Sequence, residues 1–235
     1  MAEWKPRRFW QDTSVSEGPD GFHVLLDGKT LRTPAKIALV LPTHALAEAV
    51  EQEWRAQGEV IDPATMPYTR TANSAVEKVA PQHLAIVEML AEYGDSDVTC
   101  YRAEGPASLV HRQSQVWDPL LDWAGAKYAA PLSPVTGVMH APQARESLER
   151  LKAPLIPMNS FQLAAAHDLI TLSGSLVIAL ATIEGVLSAP AAWDASRVDE
   201  DWQMDQWGED AEARHAAEAK KNGFLHAHDF FQRVG

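Results

Sequence analysis

The chain has a single cysteine, Cys100, among its 235 residues. No intramolecular disulfide and no multi-cysteine zinc site can form, and such usage suits a reducing compartment. Its 13 glycines are scattered. None forms the tight cluster between a strand and a helix that cradles phosphate, which argues against a nucleotide-binding loop. Basic charge is scarce: 20 Lys+Arg stand against 32 Asp+Glu, a net charge of −12. A nucleic-acid surface needs clustered Lys and Arg, and an anionic membrane surface would repel such a chain. Long apolar runs are also missing. The most apolar stretch, residues 169–187, is interrupted by Ser173, Gly174, Ser175 and Glu184. A bilayer span wants about 20 predominantly apolar residues, so this stretch reads as a buried core helix and no membrane insertion is expected. The opening MAEWKPRRFW contains no apolar segment of signal-peptide length. No Gly-x-Ser-x-Gly nucleophile elbow, internal repeat or low-complexity tract is present.

What is there is material for a core. The chain is 46% hydrophobic and 22% charged, with eight tryptophans at 4, 10, 54, 117, 123, 193, 202 and 207. The first sixty residues carry a β signal: FHVLL at 22–26, Asp27-Gly28 as a type I′ hairpin turn, then residues 29–33 and 37–41, with 8–10 as a further strand candidate. Pro42 ends the last strand and Thr43 caps a helix in which Leu46, Val50 and Trp54 recur every four residues, with Gly58 as its stop. Two prolines within IDPATMP at 61–67 mark a linker. Beyond it the pattern is helical: 72–79, 82–93, 107–128, 142–152, a long helix over 160–187 with a kink at Gly174, 191–207, and 209–221 ending at Asn222-Gly223. Residues 97–102 read as a short extended piece. Pro119 predicts a start or kink within 107–128. The expected class is α+β: a small β-rich domain with one packed helix over residues 1–66, then a mostly α-helical domain over 67–235.

Chemistry-bearing residues are few. His226, His228 and Asp229 are spaced for a weak metal site if extended, but the pattern also fits a polar patch, and no metal is expected. His167-Asp168 pairs a base with an acid, which suits a hydrolase or a hydrogen-bonded helix pair. Cys100 reads as a small buried hydrophobe. Carboxylates cluster instead. Between residues 184 and 212 lie nine acids, Glu184, Asp194, Asp199, Glu200, Asp201, Asp205, Glu209, Asp210 and Glu212, against one base, Arg197. On one continuous helix Asp201, Asp205 and Glu209 share a face, flanked by Trp202 and Trp207. Such a face suits either solvent or a positively charged partner. Trp54 closes an apolar stripe and suits either core packing or a partner contact.

Several pieces, in this order, resemble one family. They are Arg7-Arg8-Phe9-Trp10, Leu26-Asp27-Gly28-Lys29-Thr30-Leu31-Arg32-Thr33-Pro34, Glu53-Trp54, Cys100-Tyr101-Arg102, and Trp117-Asp118-Pro119-Leu120 with Trp123. The last are Val198-Asp199-Glu200-Asp201-Trp202-Gln203 and Trp207-Gly208-Glu209-Asp210. Across roughly residues 6–215 the set looks like the assembly chaperone of F-type ATP synthase that handles the alpha subunit of the catalytic head. The resemblance implies a non-enzymatic, cofactor-free protein that binds the unassembled alpha subunit and shields the surface that later meets the beta subunit. It implies the same two-part fold, and a functional acid just after the Trp-Gly pair, at Glu212 or Glu209. The family's tryptophan at the end of the first helix maps onto Trp54. Glu200, Asp201, Trp202, Asp205 and Trp207 complete the expected partner surface. No mitochondrial presequence is recognised, so a bacterial cytoplasmic member is expected, or a mature form numbered from an added Met. The eukaryotic relatives belong to the mitochondrial matrix. An acidic chain without a coiled-coil pattern is expected to be a monomer. A small-molecule hydrolase using the carboxylates or His167-Asp168 is the alternative.

Overall fold

A computed structural model describes residues 7–208 and 211–235. The class is α+β, with a small N-terminal β region and a helical remainder. By backbone proximity the chain groups into two compact units. One takes the chain through His83 together with Asn159–Ala165 and Asp229–Gly235, and the other takes Leu84–Met158 and Ala166–His228.

In the first unit β1 (Thr13–Gly18), β2 (Gly21–Leu26), β3 (Lys29–Thr30) and β4 (Val40–Leu41) form an antiparallel sheet in which β2 pairs with the other three. Asp27 and Gly28 both have positive φ, 47° and 76°, as a type I′ turn requires. Alternation along β2 buries Val24 and Leu26. Against them packs α1 (His44–Arg55), with Leu46 and Val50 fully buried. Each such side chain contributes about 1.5–3 kcal/mol. Thr43 caps α1, its hydroxyl accepting from the Leu46 amide at 3.2 Å. The helix stops at Ala56 rather than at Gly58. Of the strand expected over 37–41, Val40 and Leu41 form β4 and Ala38 makes only an isolated bridge to Arg32, and instead of a strand over 8–10 there is a single bridge between Arg7 and Val60. Next, α2 (Pro67–Ser74) passes directly into a π-helical turn, Ala75–Val79.

The second unit begins within α3 (His83–Ala91). A short parallel pair, β5 (Tyr101–Arg102) and β6 (Val135–Thr136), flanks α4 (Ala107–Tyr128). The expected extended piece at 97–102 is thus half 3-10 turn and half strand. Pro119 neither starts nor ends α4 but sits inside it. After α5 (Arg145–Lys152), the long helix expected over 160–187 is two: α6 (Ser160–Ser173) and α7 (Leu176–Ile183), parted at Gly174 with φ 67°. Likewise 191–207 divides into α8 (Ala189–Ser196) and α9 (Val198–Trp207) at Arg197. The last helix, α10 (Ala211–Val234), runs straight through Asn222-Gly223. A Cβ at Gly223 would lie 3.3 Å from the Leu172 side chain, so this glycine serves close packing rather than a stop.

Every residue of α7 from Leu176 to Thr182 is buried, and α4 and α8 pack on it. Asp97 anchors its start. This fully buried carboxylate accepts from Ser175 Oγ (2.7 Å), Val177 N (3.0 Å), Thr99 N (3.0 Å) and Thr99 Oγ1 (2.7 Å). Burial pushes its carboxyl above the usual range while those donors pull it down.

Candidate partner-binding site

The acidic segment begins at Arg197, whose backbone opens α9, and places Asp199, Glu200 and Asp201 in the first turn. Carboxylates there offset the positive end of the helix dipole, so part of the acidity serves the helix itself. Tertiary structure supplies cations and donors that the local sequence does not. Asp205 pairs with Arg112 of α4 at 2.9 Å, and Asp199 accepts from Gln113 Nε2 at 2.7 Å. Glu200 and Asp201 lie 3.2 and 4.0 Å from Arg197, while Glu184 lies 2.9 Å from Lys127. Partial burial raises the Asp201 carboxyl above its ordinary range, against the pull of Arg197 and Arg112.

The aromatic pair lies among these acids. Trp202 and Trp207 meet edge to face with ring centres 6.0 Å apart. Trp202 is half-buried, whereas Trp207 is 76% exposed. Gly208 ends α9 with φ 85°, a conformation open to glycine and strained for other residues. The single-helix face expected for Asp201, Asp205 and Glu209 therefore does not continue past Trp207, and Glu209 lies outside the described residues. Glu212 stands exposed in the first turn of α10, and residues 211–216 and 218–220 are all exposed. The structure thus gathers Glu200, Asp201, Trp202, Asp205 and Trp207 on one short helix, with Glu212 on the next.

Trp54 is elsewhere, on the first unit. Its ring lies 5.0 Å from that of Trp10, which is buried, and the Trp54 indole nitrogen is itself buried. The preceding Glu53, which sequence reasoning assigned no task, accepts from Tyr68 N, Thr69 N and Thr69 Oγ1, each at 2.7 Å. It thereby caps α2, whose own N-cap residue, Met66, offers no side-chain acceptor. Desolvation raises the Glu53 carboxyl, opposed by those donors.

The alternative chemistry gathers less. His167 Nδ1 and Asp168 Oδ1 are 2.9 Å apart on α6, both about two-fifths exposed. Asp229 is occupied by Tyr68 OH and Arg233 Nε, each at 2.5 Å. Among the described residues no group of three His, Cys, Asp or Glu side chains could hold a metal ion, and no helix is long and apolar enough to cross a membrane.

Comparison with known proteins gives the class first. A crystal structure of Atp12 from Paracoccus denitrificans is 46% identical, with a TM-score of 0.95 over 99% of this chain and all of that one. An aspartate-to-lysine mutant of the same organism's Atp12p is 45% identical, with a TM-score of 0.95 over the whole of both chains. A putative chaperone from Agrobacterium tumefaciens is 41% identical, with a TM-score of 0.92 over 98% of this chain and 87% of that one. Fold and sequence together are those of a chaperone.

The family follows. The model described as ATP12 chaperone protein matches residues 7–125. The mitochondrial atp12 protein of Schizosaccharomyces pombe is 24% identical over 214 residues, which is 86% of this chain and 74% of that protein. This chain belongs to the ATP12 chaperone family and is a chaperone of ATP synthase assembly.

Proposed function

We propose that this chaperone binds the unassembled alpha subunit of the F-type ATP synthase and shields the surface destined for the beta subunit. It acts as a monomer in a 1:1 complex, in the bacterial cytoplasm, without catalysing a reaction or holding a cofactor. The observation that carries this reading is the exposed Trp207, edge to face with Trp202 among Asp201, Asp205 and Glu200, with Glu212 exposed on the following helix. A subunit awaiting assembly exposes an interface with an apolar core. A tryptophan anchor supplies affinity to such a surface, and surrounding carboxylates supply orientation and encounter rate toward a basic patch. Trp54, on the first unit and packed against Trp10, is a separate partner contact in this reading.

Co-expression with the alpha subunit from the same source tests the reading. The chaperone should keep alpha soluble and co-elute with it at 1:1. Charge reversal at Glu200, Asp205, Glu209 and Glu212, singly and together, should progressively lose the complex. Alpha that aggregates equally with and without the chaperone would end the reading. Unchanged alpha solubility with all four positions reversed would remove the acids from it.

A further inference from the structure

The two most exposed large apolar side chains among the described residues are neighbours, Val138 at 93% and Met139 at 81%. Isolated exposed apolar residues need no explanation, but these two crown a loop held at both ends. On the near side β6 pairs in parallel with β5, Tyr101 opposite Val135 and Arg102 opposite Thr136. The Gly137 amide then donates to the Arg102 carbonyl at 2.8 Å. Gly137 has φ 91°, and a Cβ there would sit 3.3 Å from the Glu104 carboxylate, so glycine permits the turn that lifts the next two residues. On the far side His140 is gripped by its two ring nitrogens: Nδ1 lies 3.2 Å from the Tyr101 hydroxyl and Nε2 lies 3.3 Å from Asp95 Oδ2. The other Asp95 oxygen accepts the Gln143 amide at 2.7 Å. The Gln143 side chain closes the base through both the amide and the carbonyl of Ser133, at 2.8 and 3.0 Å.

The Cys100-Tyr101-Arg102 motif thus has a task that the acidic and tryptophan surface does not use. Arg102 is itself fixed, over the Trp117 ring at 5.3 Å and paired with Asp118 at 2.8 Å. The hydrogen bonds that stake this loop therefore lead back into the packed α4. Holding an apolar tip in place before binding removes much of the ordering cost of inserting it into a partner. Methionine, unbranched and polarizable, adapts to an apolar pocket. A second copy of this chain is disfavoured as occupant by a net charge of −12 on each.

We infer that Val138 and Met139 form a second, salt-independent docking point that inserts into an apolar pocket of the client subunit. This rests on the client reading above, with the purified alpha subunit as the probe. Both side chains are exposed, so the double variant Val138→Ser/Met139→Ser should melt like the wild type. It should bind alpha about tenfold or more weakly, to the same extent at low and high salt. Tyr101→Phe, which removes one of the two contacts that hold His140 while leaving the tip intact, should weaken binding by a smaller factor. If the double variant binds alpha as tightly as the wild type, the tip is overturned and the client reading stands. If wild-type protein fails to bind alpha at all, the client reading itself falls. Sedimentation of the free protein provides the third arm: a wild-type dimer abolished by the double substitution would mean the tip meets a second copy, and would overturn the inference.

Discussion

Trp54 and Cys100 show how single side chains on this molecule are committed. The Trp54 ring packs against Trp10, and the Arg8 guanidinium lies 5.4 Å from the centre of the Trp10 ring. Trp54→Arg would replace an apolar contact by a second cation beside the first. It should lower unfolding stability by about 2–4 kcal/mol in urea denaturation. A variant that melts normally but fails to bind alpha would instead make Trp54 a partner contact alone. Cys100 is buried, and burial, reinforced by the Asp97 charge, pushes its thiol up to about 12 from an ordinary 9.0. The unfolded chain therefore gives up this proton first as pH rises. Its contribution is fully present below pH 9 and is lost between pH 9 and about pH 12. A Cys100→Ala variant should show a shallower fall in stability across that window. The native thiol should resist a disulfide reagent at pH 8 and react only on unfolding.

Elements carry the next level of commitment. The acidic helix α9 meets α4, and the ion pair between Asp205 and Arg112 joins them with side chains 66% and 39% exposed. Exposed pairs are worth about 0–1 kcal/mol, so this contact is a weak fastener on an acid that the client would use. Arg112→Gln should leave the melting temperature within a degree or two and release Asp205. Alpha-subunit affinity in a low-salt titration should rise about two- to fivefold. A fall in affinity would mean that Arg112 itself faces the client. Other family-like pieces are framework. Arg8 donates to the carbonyls of Trp10 and Gln57 at 3.0 and 2.7 Å, tying the entering chain to the end of α1. Trp117 Nε1 donates to the Ala195 carbonyl at 2.8 Å, tying α4 to α8. Such tryptophan and arginine positions hold the fold that displays Trp207, rather than displaying themselves.

At the scale of the whole molecule the net charge of −12 should act on the proposed client encounter through kinetics more than through affinity. Long-range attraction to a basic client surface accelerates encounter and is screened over about 8 Å at physiological salt. Raising salt from about 20 to 300 mM should cut the association rate constant for alpha roughly tenfold or more while the dissociation rate changes little, as read by stopped-flow fluorescence. Equal salt effects on both rates would place the charges inside the bound interface instead of in its approach.

Short-range rules made much of the architecture legible. The Asp27-Gly28 turn, the Thr43 cap, the Leu46 and Val50 stripe and the helical character of the remainder all follow from local geometry and periodicity, and so does the α+β class. Composition bounded the function by what it withheld, and the ordered motifs pointed to the family. Element ends were less readable. Gly174 and Gly223 look alike in sequence, yet one turns the chain and the other lies inside a helix against Leu172, because a glycine's role depends on what packs beside it. The acidic run read as nearly unopposed, since Arg112 and Lys127 are too distant in sequence to be counted against it. Glu53 and Asp97 gave no local sign that they would cap helices from afar. Only tertiary structure decided these assignments, because hydrogen bonds and ion pairs form between neighbours in space. Only it decided that Trp207, Val138 and Met139 face solvent while Trp10 and Trp117 do not, since exposure belongs to the packed whole.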